Sequence, residues 1–335
     1  MQNHRLDPSQ LDWPALDRLR SLFLQGAPVT EPYWRNPADL AAYDTTFGER
    51  IGWKWDAALG ELRRRGWRPA AGPACALLDW GCGSGVAGRR VVAAFGVENF
   101  SALRVWDHSP TARAFAAGRA RTAFPTLAVE EFSDDGTSPV GLLVLSHVLN
   151  ELTPAARAGL LALMGRAAAV LWVEPGTSAV SRELVAFRER LRGEFSVVAP
   201  CPHAGTCGVL APGNGRHWCH FFAPPPAGLQ ADSGWVKFGR RAGIDLRSLP
   251  YSWLALERPA GAPPPAGTAR VLGRVESFKG FLRVLSCGTA GRLDPLEMQK
   301  RADPALFRQM ERAVAHPPYR WQRDGHGRIT GATEA

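Results

Sequence analysis

Runs of consecutive apolar residues alternate with helical patterns through the middle of this chain. The apolar runs cover residues 75–80, 102–107, 140–146, 169–174 and 195–198. Helical patterns separate them, over residues 86–95, from Pro110, from Pro154 to about Arg166, and over 181–192. Strands without polar alternation are buried on both faces, so this order predicts a parallel sheet covered by helices on both sides.

The segments on either side of this alternation have a different character. Before it, Asn36-Pro37 is typical of a helix start, and residues 56–65 form a helical pattern that Gly66 ends. After it, residues 251–257 predict a returning edge strand of the same sheet. Two further strands are predicted at 269–275 and 280–286, and we expect the tail after about Trp321 to be frayed.

Four segments result from this pattern. They are a helical N-terminal region at 1–68, an α/β core at 69–199, a cysteine-rich insertion with the returning strand at 200–258, and a small β extension with a tail at 259–335. The Pro-rich stretch 259–267 predicts a stiff linker at the start of the last segment.

The composition excludes several classes of protein. With 335 residues, 45% apolar and 21% charged, the chain is expected to bury a core and not to be disordered. It has no run of eighteen apolar residues and does not begin like a secretion signal, so we expect a cytoplasmic protein without a membrane span. Six cysteines are too few for a disulfide scaffold of this size.

The positive charge is concentrated in one part of the chain. The net charge is +9, and residues 196–335 contain 18 basic and 10 acidic residues, whereas the preceding 195 residues are nearly balanced. A local excess of basic residues suits contact with nucleic-acid phosphates, although a solvated basic face without a partner has the same composition.

A glycine-rich loop follows the first apolar run. Gly81, Gly83 and Gly85 allow the backbone to turn sharply and to approach a ligand, at the sheet edge where doubly wound folds bind nucleotides. Asp79 precedes the first glycine by two residues, which favours S-adenosylmethionine, a cofactor with a cationic amino group. Asp107 ends the second strand, where it is placed to accept hydrogen bonds from ribose hydroxyls.

Two other interpretations of this loop stay open. The glycines at 83, 85 and 88 also satisfy the Gly-x-Gly-x-x-Gly pattern of dinucleotide-binding proteins, which is weak by itself. A glycine turn without any ligand is the simplest alternative.

Polar residues after the third apolar run are candidates for the catalytic site. In this fold class the loop at 146–152 faces the transferred methyl group, and it contains Asn150 and Glu151. Amine methyltransferases often have Asn or Asp followed by Pro-Pro and an aromatic residue here, and this chain has only the Asn. Both residues could instead serve as a helix cap and a first-turn acid.

Three cysteines are clustered in the basic part of the chain. Cys201, Cys207 and Cys219 lie within nineteen residues that have the composition of a loop, and Cys287 could supply a fourth thiolate. Several thiolates at one point suit zinc or an iron–sulfur cluster. The irregular spacing fits a cuboidal cluster somewhat better than zinc. A Cys₃His zinc site with His203 or His220 remains an alternative.

Several of these segments together resemble one known family. They are Asp-Trp-Gly-Cys-Gly-Ser-Gly (79–85), Ser-His-Val-Leu-Asn-Glu-Leu (146–152), Val-Glu-Pro-Gly-Thr (173–177), Cys-Pro-His-x₃-Cys (201–207), Trp-Cys-His-Phe (218–221), Tyr-Ser-Trp-Leu-Ala-Leu (251–256) and Lys-Gly-x₆-Cys (279–287). In this order the chain is similar to the mitochondrial small-ribosomal-subunit methyltransferase-like family, whose bacterial relatives are often labelled ribosomal RNA methyltransferases.

The resemblance implies a fold, two cofactors and a partner. The fold would be that of a class I S-adenosylmethionine-dependent methyltransferase, Rossmann-like and doubly wound. The metal group would be a [4Fe-4S] cluster with four cysteine ligands, at positions 201, 207, 219 and 287. The partner would be the small ribosomal subunit during its assembly, with either ribosomal RNA or a ribosomal protein as the substrate.

Two further functions stay open at this point. In the resembling family catalysis is itself uncertain, so a non-catalytic assembly factor that binds RNA on a methyltransferase scaffold is one alternative. A zinc-containing methyltransferase of small molecules is the other.

Overall fold

The computed structural model describes residues 5–25, 31–70, 75–258 and 266–335. Most of the linker predicted at 259–267 lies outside these residues. In the described part of the chain, no helix combines the length and the apolar character that a membrane crossing requires. The fold divides into two compact units, Met1–Val173 with Pro224–Leu249 and Glu174–Ala223 with Pro250–Ala335.

The first unit begins with the expected helical region. Its helices are α1 (Trp13–Gln25), α2 (Pro37–Tyr43) and α3 (Glu49–Arg64). The Asn36 side chain caps α2 by accepting a hydrogen bond from the Asp39 N–H, at 2.9 Å, as the Asn-Pro pair predicts. Residues Asp44–Gly48 form a π-helical turn between α2 and α3.

A parallel sheet is the centre of this unit. Its strands are β1 (Ala76–Trp80), β2 (Ala102–Trp106), β3 (Ala128–Glu131), β4 (Val140–Ser146) and β5 (Ala167–Pro175). The order is β3-β2-β1-β4-β5, and every neighbouring pair is parallel. The helices that connect these strands are α4 (Val86–Phe95), α5 (Pro110–Ala123) and α6 (Pro154–Met164).

This strand order explains why helices cover both faces of the sheet. Successive strands run outward from β1 in one direction to β3 and then in the other direction to β5. Parallel crossovers are right-handed, so reversing the direction places the connecting helices on the opposite face. The predicted doubly wound α/β core is therefore confirmed, and its switch point lies between β1 and β4. Strand β3 was not predicted, because its residues are mostly exposed and form no apolar run.

The second unit contains the cysteines and two β regions. Helix α7 (Ser178–Leu191) is followed by β6 (Ser196–Ala199) and the short β7 (Phe221–Phe222). Helix α8 (Ser233–Ala242) belongs to the first unit, and the chain then returns with β8 (Pro250–Glu257). Strand β8 pairs antiparallel with both β6 and β7. The prediction that the apolar run 195–198 belongs to the parallel core is therefore wrong, because this run forms β6, whose partner strand runs in the opposite direction.

The strand at 251–257 is present, but its predicted place is wrong. The strand order of the sheet ends with β8 followed by β6, so β6 is the terminal strand. Six of the eight residues of β8 are buried, as expected for an inner strand and not for an edge. Sequence alone could not show this, because an apolar run does not reveal which strand pairs beside it.

The C-terminal residues form a closed five-stranded barrel. Its strands are β9 (Thr268–Phe278), β10 (Phe281–Gly288), β11 (Leu293–Gln299), β12 (Tyr319–Arg323) and β13 (Ile329–Glu334), with α9 (Pro304–Arg312) between β11 and β12. The β extension is therefore confirmed and larger than expected. The prediction of a frayed tail after Trp321 is wrong, because β12 and β13 pair with each other and close the barrel.

Candidate cofactor loop and cysteine site

The glycine loop lies at the carboxyl end of β1, immediately before α4. Gly81, Gly83 and Gly85 all have positive φ values, of 69°, 51° and 75°. A side chain at Gly81 would lie 2.7 Å from the Val148 side chain, and one at Gly85 would lie 2.8 Å from Ala116. Left-handed backbone at all three positions and close packing at Gly81 and Gly85 therefore require glycine here.

Asp79 fixes the first turn of α4, directly after this loop. The side chain is only 1% exposed, and its Oδ2 accepts a hydrogen bond from the Gly88 N–H at 2.9 Å. Its other oxygen, Oδ1, has no hydrogen-bond partner among the described residues. Burial raises the pKa of Asp79 to about 7, against the downward effects of the Gly88 hydrogen bond and the Arg89 charge. The carboxyl thus fixes the first turn of α4 and keeps one buried oxygen unpaired.

This pKa has a testable consequence for stability. The folded protein holds the Asp79 carboxyl protonated at pH values where the unfolded chain, with an ordinary pKa of 3.8, has released the proton. The resulting stabilisation is complete below about pH 4 and is lost as the pH rises through about 7. We expect Asp79→Asn to reduce the pH dependence of the free energy of unfolding by about 2–4 kcal/mol between pH 4 and 8.

Urea unfolding at several pH values measures this effect, with Asp17→Asn on the exposed face of α1 as the matched control. An unchanged pH profile for Asp79→Asn, equal to that of the control, would show that Asp79 does not titrate in this range.

Asp107 fixes the other side of the loop. It follows β2 and is 5% exposed. Its Oδ2 accepts a hydrogen bond from the Gly83 N–H and its Oδ1 accepts one from the Ser109 N–H, both at 2.9 Å. The structure therefore brings the predicted residues Asp79, Gly81, Gly83, Gly85 and Asp107 to one edge of the sheet. Asp107 binds the loop backbone and Asp79 binds the first turn of the helix that follows it, roles that the sequence does not reveal.

The predicted catalytic residues lie in a neighbouring turn. Asn150 and Glu151 belong to a 3₁₀ turn, Leu149–Glu151, and Val148 just before it contacts the glycine loop at Gly81. The alternative of a helix cap is wrong, because Thr153 caps α6 by accepting a hydrogen bond from the Ala156 N–H at 3.2 Å. Glu151 Oε2 instead accepts a hydrogen bond from the Tyr33 hydroxyl at 3.3 Å.

Aromatic residues of the N-terminal region also border the loop, which sequence reasoning missed. Trp34 lies 3.8 Å from the position that a Gly83 side chain would take, and Tyr33 contacts the His108 ring at a centroid distance of 6.2 Å. Trp34 and Tyr43 contact edge to face at 5.1 Å. The helical N-terminal region thus supplies one wall of the site. These residues form no periodic pattern, so no sequence signal connected them with the loop.

His147 is a second residue that sequence reasoning missed. It has a φ of 56°, the one positive value among the described residues other than glycine. Its Nε2 lies 3.2 Å from Lys54 Nζ, and burial followed by the charges of Lys54 and Arg50 holds its pKa well below the ordinary value. A neutral imidazole held in strained backbone is therefore adjacent to the candidate catalytic turn. Strain of this kind has no signature in the sequence.

The second unit brings the four predicted cysteines into one region. Cys201, Cys207 and Cys219 lie between β6 and β7, and Cys287 lies on β10. Burial raises the pKa of Cys207 to about 11, and the charge of Cys201 raises it further. Burial also raises the pKa of Cys219 and of Cys287, and the charges of Cys201 and Cys207 act on both in the same direction. Charge interactions of this kind weaken with distance, so these thiols lie in the same part of the second unit.

Two guanidinium groups face these thiols. Arg188, buried on α7, is hydrogen-bonded to the Cys201 side chain and donates to the carbonyl oxygens of His203 and Gly205, each at 2.9 Å. Arg270 on β9 lowers the pKa of Cys219 and Cys287 by its charge, opposing burial. The region therefore combines four sulfur donors with positive charge that compensates for thiolates.

The two histidines proposed as zinc ligands have other neighbours. His203 Nδ1 lies 3.1 Å from the Gly205 carbonyl, and burial with the Arg188 charge lowers its pKa to about 4. His220 stacks on Trp218 at a centroid distance of 4.5 Å. Across the part of the chain that the structure describes, no group of three or more His, Cys, Asp or Glu side chains is arranged so that it could hold a metal ion, and this includes the four cysteines.

Comparison with known protein families gives a decisive match. Residues 73–313 match the family model described as mitochondrial small ribosomal subunit Rsm22. The chain belongs to the Rsm22 family. The match covers more than half of the chain and includes the glycine loop, the candidate catalytic turn and all four clustered cysteines, so the family resemblance seen in the sequence is confirmed.

Several solved structures align with more than two thirds of this Rsm22-family protein. One is a SAM-dependent methyltransferase from Thiobacillus denitrificans in complex with S-adenosyl-L-homocysteine, 14% identical, with 71% of this chain and 97% of that chain covered and a TM-score of 0.34. Another is an O-methyltransferase family protein from Burkholderia thailandensis, 16% identical, with 75% and 70% covered and a TM-score of 0.38. No curated protein matches the chain.

Proposed function

We propose that this Rsm22-family protein binds S-adenosylmethionine at the glycine loop and transfers its methyl group to a component of the small ribosomal subunit, either ribosomal RNA or a ribosomal protein. The observation that supports this most is the loop itself. Its glycines are left-handed, Asp107 holds the Gly83 backbone, and Asp79 holds the first turn of the helix that follows the loop. Such a loop is formed before the ligand arrives, which reduces the entropic cost of binding.

The charges at the loop suit this cofactor better than a dinucleotide. S-adenosylmethionine carries a cationic ammonium and a sulfonium, and the sulfonium supplies the methyl group when the cofactor is bound. Two buried carboxyls near the loop backbone favour a cation over a pyrophosphate, and a nearby positive charge would lower the pKa of Asp79. Gly81, Gly83 and Gly85 would allow the close approach of the cofactor, and Asp107 would hold the Gly83 backbone for it.

The substrate side of the site is proposed to be the turn after β4. Asn150 and Glu151 would position the group that accepts the methyl, and the Tyr33 hydroxyl holds Glu151 in place. His147 precedes this turn and would help to position it, since its Nε2 lies 3.2 Å from Lys54 Nζ. Aromatic walls from Trp34 and Tyr43 would exclude water from the cofactor.

The cysteine site is proposed to hold a [4Fe-4S] cluster with Cys201, Cys207, Cys219 and Cys287 as ligands. Four thiols in one region, opposite Arg188 and Arg270, match the donor set and the charge balance of such a cluster. Burial strongly disfavours free thiolates here, so a metal must displace their protons. The cluster would be structural, because it would connect the segment between β6 and β7 to the barrel strand β10.

A non-catalytic assembly factor is the second candidate function. The candidate turn has no Pro-Pro-aromatic sequence after Asn150, and Glu151 is occupied by the Tyr33 hydroxyl. On this interpretation the cofactor would stabilise a conformation that binds the assembling subunit, and no methyl group would be transferred.

A transfer assay separates the two functions. Small-subunit particles from cells lacking the protein should incorporate labelled methyl groups from S-adenosylmethionine only when the protein is added. Glu151→Gln should reduce the rate at least tenfold, because it removes the charge from the candidate turn. Particles that bind the protein and acquire no label would identify it as an assembly factor.

A further inference from the structure

The C-terminal barrel has a specific connectivity. Its strands follow the cyclic order β9-β10-β11-β13-β12 and close between β12 and β9. All neighbouring pairs are antiparallel except β11 and β13, which are parallel, with Met298 opposite Ile329. A helix, α9, lies between the third and fourth strands. Five strands of this order, with a helix after the third, form the Greek-key barrel of the OB-fold.

The barrel has its own hydrophobic core. Buried side chains from its strands and from α9 make up one cluster: Val271, Leu282, Val284, Leu296, Met298, Leu306, Phe307, Met310, Tyr319 and Ile329. Along β10 the residues alternate, so that Leu282 and Val284 point inward while Phe281 and Arg283 lie on the outer face. The outer face of β10 and β11 therefore lies over a packed hydrophobic core. In OB-folds this face and its two flanking loops bind oligonucleotides.

An aromatic stack lies at the edge of this face. Phe278 and Phe281 flank the turn between β9 and β10, and their rings are parallel within 7° at a centroid distance of 4.6 Å. Phe278 is 42% exposed, although a large apolar side chain is more stable when buried. Neither ring belongs to the barrel core. The pair presents an apolar ring surface to solvent, which is the element that stacks on an unpaired base.

Positive charges surround the aromatic stack. Lys279 is in the turn itself, and Lys300 lies beside it because its N–H donates to the Gly280 carbonyl at 2.9 Å. Arg301 follows Lys300, and all three side chains are exposed. The Arg283 guanidinium lies 5.3 Å from the Phe278 ring centroid, although Glu276 and Glu297 balance its charge. Within the described residues no acidic side chain pairs with Lys279, Lys300 or Arg301, although the Lys300 ammonium lies over the Phe307 ring at 5.7 Å, so positive charge remains at the turn, next to the rings.

The other flanking loop contributes further cations. Residues 324–328 connect β12 to β13 and enter β13 at Ile329, next to Met298 of β11. Arg323 and Arg328 are exposed at the two ends of this loop. Over residues 266–335 the barrel contains twelve basic and seven acidic residues. Its charge accounts for much of the positive excess of the whole chain and complements a phosphate backbone.

We propose that this barrel binds single-stranded RNA, with a base stacked on Phe278 and Phe281 and the flanking phosphates on Lys279, Lys300 and Arg301. A single strand is favoured over a duplex, because stacking on a side chain requires a base that is not already stacked in a helix. The inference rests on the proposed function and deepens it, since it assigns recognition of ribosomal RNA to residues of the barrel and not to the glycine loop.

The aromatic stack can be tested with the full-length protein and a fluorescent 12-nucleotide single-stranded RNA. We expect Phe278→Ala to weaken binding about tenfold in an anisotropy titration, and the double variant Phe278→Ala/Phe281→Ala to weaken it more. Val314→Ala is the matched control, because Val314 is an apolar side chain of similar exposure (39%), lies between α9 and β12 and carries no ring on which a base could stack. An RNA duplex should bind the wild-type protein more weakly than the single strand.

The contribution of Lys279 and Lys300 is measured separately, through the salt dependence of RNA binding. In Lys279→Gln/Lys300→Gln, the slope of log affinity against log salt concentration should become shallower by about 1.4, because two phosphate contacts are lost. Equal RNA affinity for Phe278→Ala and wild type, or an unchanged salt slope for the lysine variant, would overturn the proposal. So would variants that keep RNA affinity but lose binding to small-subunit particles, since the face would then contact protein.

These outcomes are distinguishable from failure of the proposed function. Affinity for S-adenosylmethionine, measured by calorimetry on the same preparations, should be equal in all barrel variants. If the wild-type protein did not bind S-adenosylmethionine, this result would contradict the proposed function but not the proposal for the barrel.

Discussion

Gly83→Arg is expected to weaken S-adenosylmethionine binding at least about 100-fold. The φ of Gly83 is 51°, a conformation that costs a residue with a side chain free energy, and the loop cannot relax while the Gly83 N–H donates to Asp107. The arginine side chain would also start 3.8 Å from Trp34 and fill the space beside the loop. Calorimetric titration with S-adenosylmethionine and S-adenosylhomocysteine measures the effect.

Gly136→Arg is the matched control for this substitution. Gly136 has a similar left-handed backbone, with a φ of 76°, but a side chain there would meet no atom within 4 Å. We expect this control to bind the cofactor normally despite a comparable backbone strain. If Gly83→Arg bound S-adenosylmethionine as tightly as the control, the loop would not be the cofactor site. Wild-type binding of NADH in place of S-adenosylmethionine would favour the dinucleotide alternative.

The same variant also bears on the choice between enzyme and assembly factor. If growth of cells lacking the protein is restored by Gly83→Arg, the cofactor is dispensable and an assembly role is sufficient. If the variant fails to restore growth while the Gly136→Arg control succeeds, cofactor binding is essential.

Cys287→Ser is expected to remove most of the iron from the protein. Wild-type protein purified without oxygen should be brown and should contain iron and sulfide in similar amounts, and the variant should lose the colour. Its melting temperature should fall by at least several degrees, because a bound metal group contributes free energy of folding. Iron and sulfide analysis with absorption spectroscopy measures the first effect, and thermal denaturation measures the second.

Cys75→Ser provides the control for a buried cysteine outside the site. Burial alone raises the pKa of Cys75, without a contribution from any other thiol. We expect this variant to keep its iron. Colourless wild-type protein with one zinc ion per chain would contradict the iron–sulfur proposal and support the zinc alternative.

The parallel core could be predicted from sequence almost residue by residue. The apolar run 140–146 is β4, and the helical pattern 86–95 is α4, both with the predicted bounds. Prediction works here because a strand buried on both faces must be continuously apolar and its covering helices must be amphipathic. Where burial is weak the signal disappears, as in the missed strand β3.

The barrel shows the limit of the same reasoning. Only β9 and β10 were predicted, because their hairpin is local, whereas β13 depends on pairing with distant β11 at Met298 and Ile329. Exposed and buried residues alternate along such strands, and the polar positions made the tail resemble a frayed terminus. Contacts between residues far apart in sequence produce no local pattern, so the closed barrel could be seen only after folding.

For the candidate site too, some features could be predicted from the sequence and others appeared only in the folded structure. The sequence by itself determined which residue types were present: the glycines that permit left-handed backbone, the acids beside them, and the six cysteines with an excess of positive charge. Tertiary structure decided what these residues contact. It placed Asp79 and Asp107 on backbone N–H groups, added Trp34 to the surroundings of the loop and His147 to the candidate turn, and placed Cys287 where the charges of Cys201 and Cys207 act on it. The physical reason is that side-chain chemistry is local to a residue, whereas burial, hydrogen bonding and charge interaction depend on neighbours that only the folded chain provides.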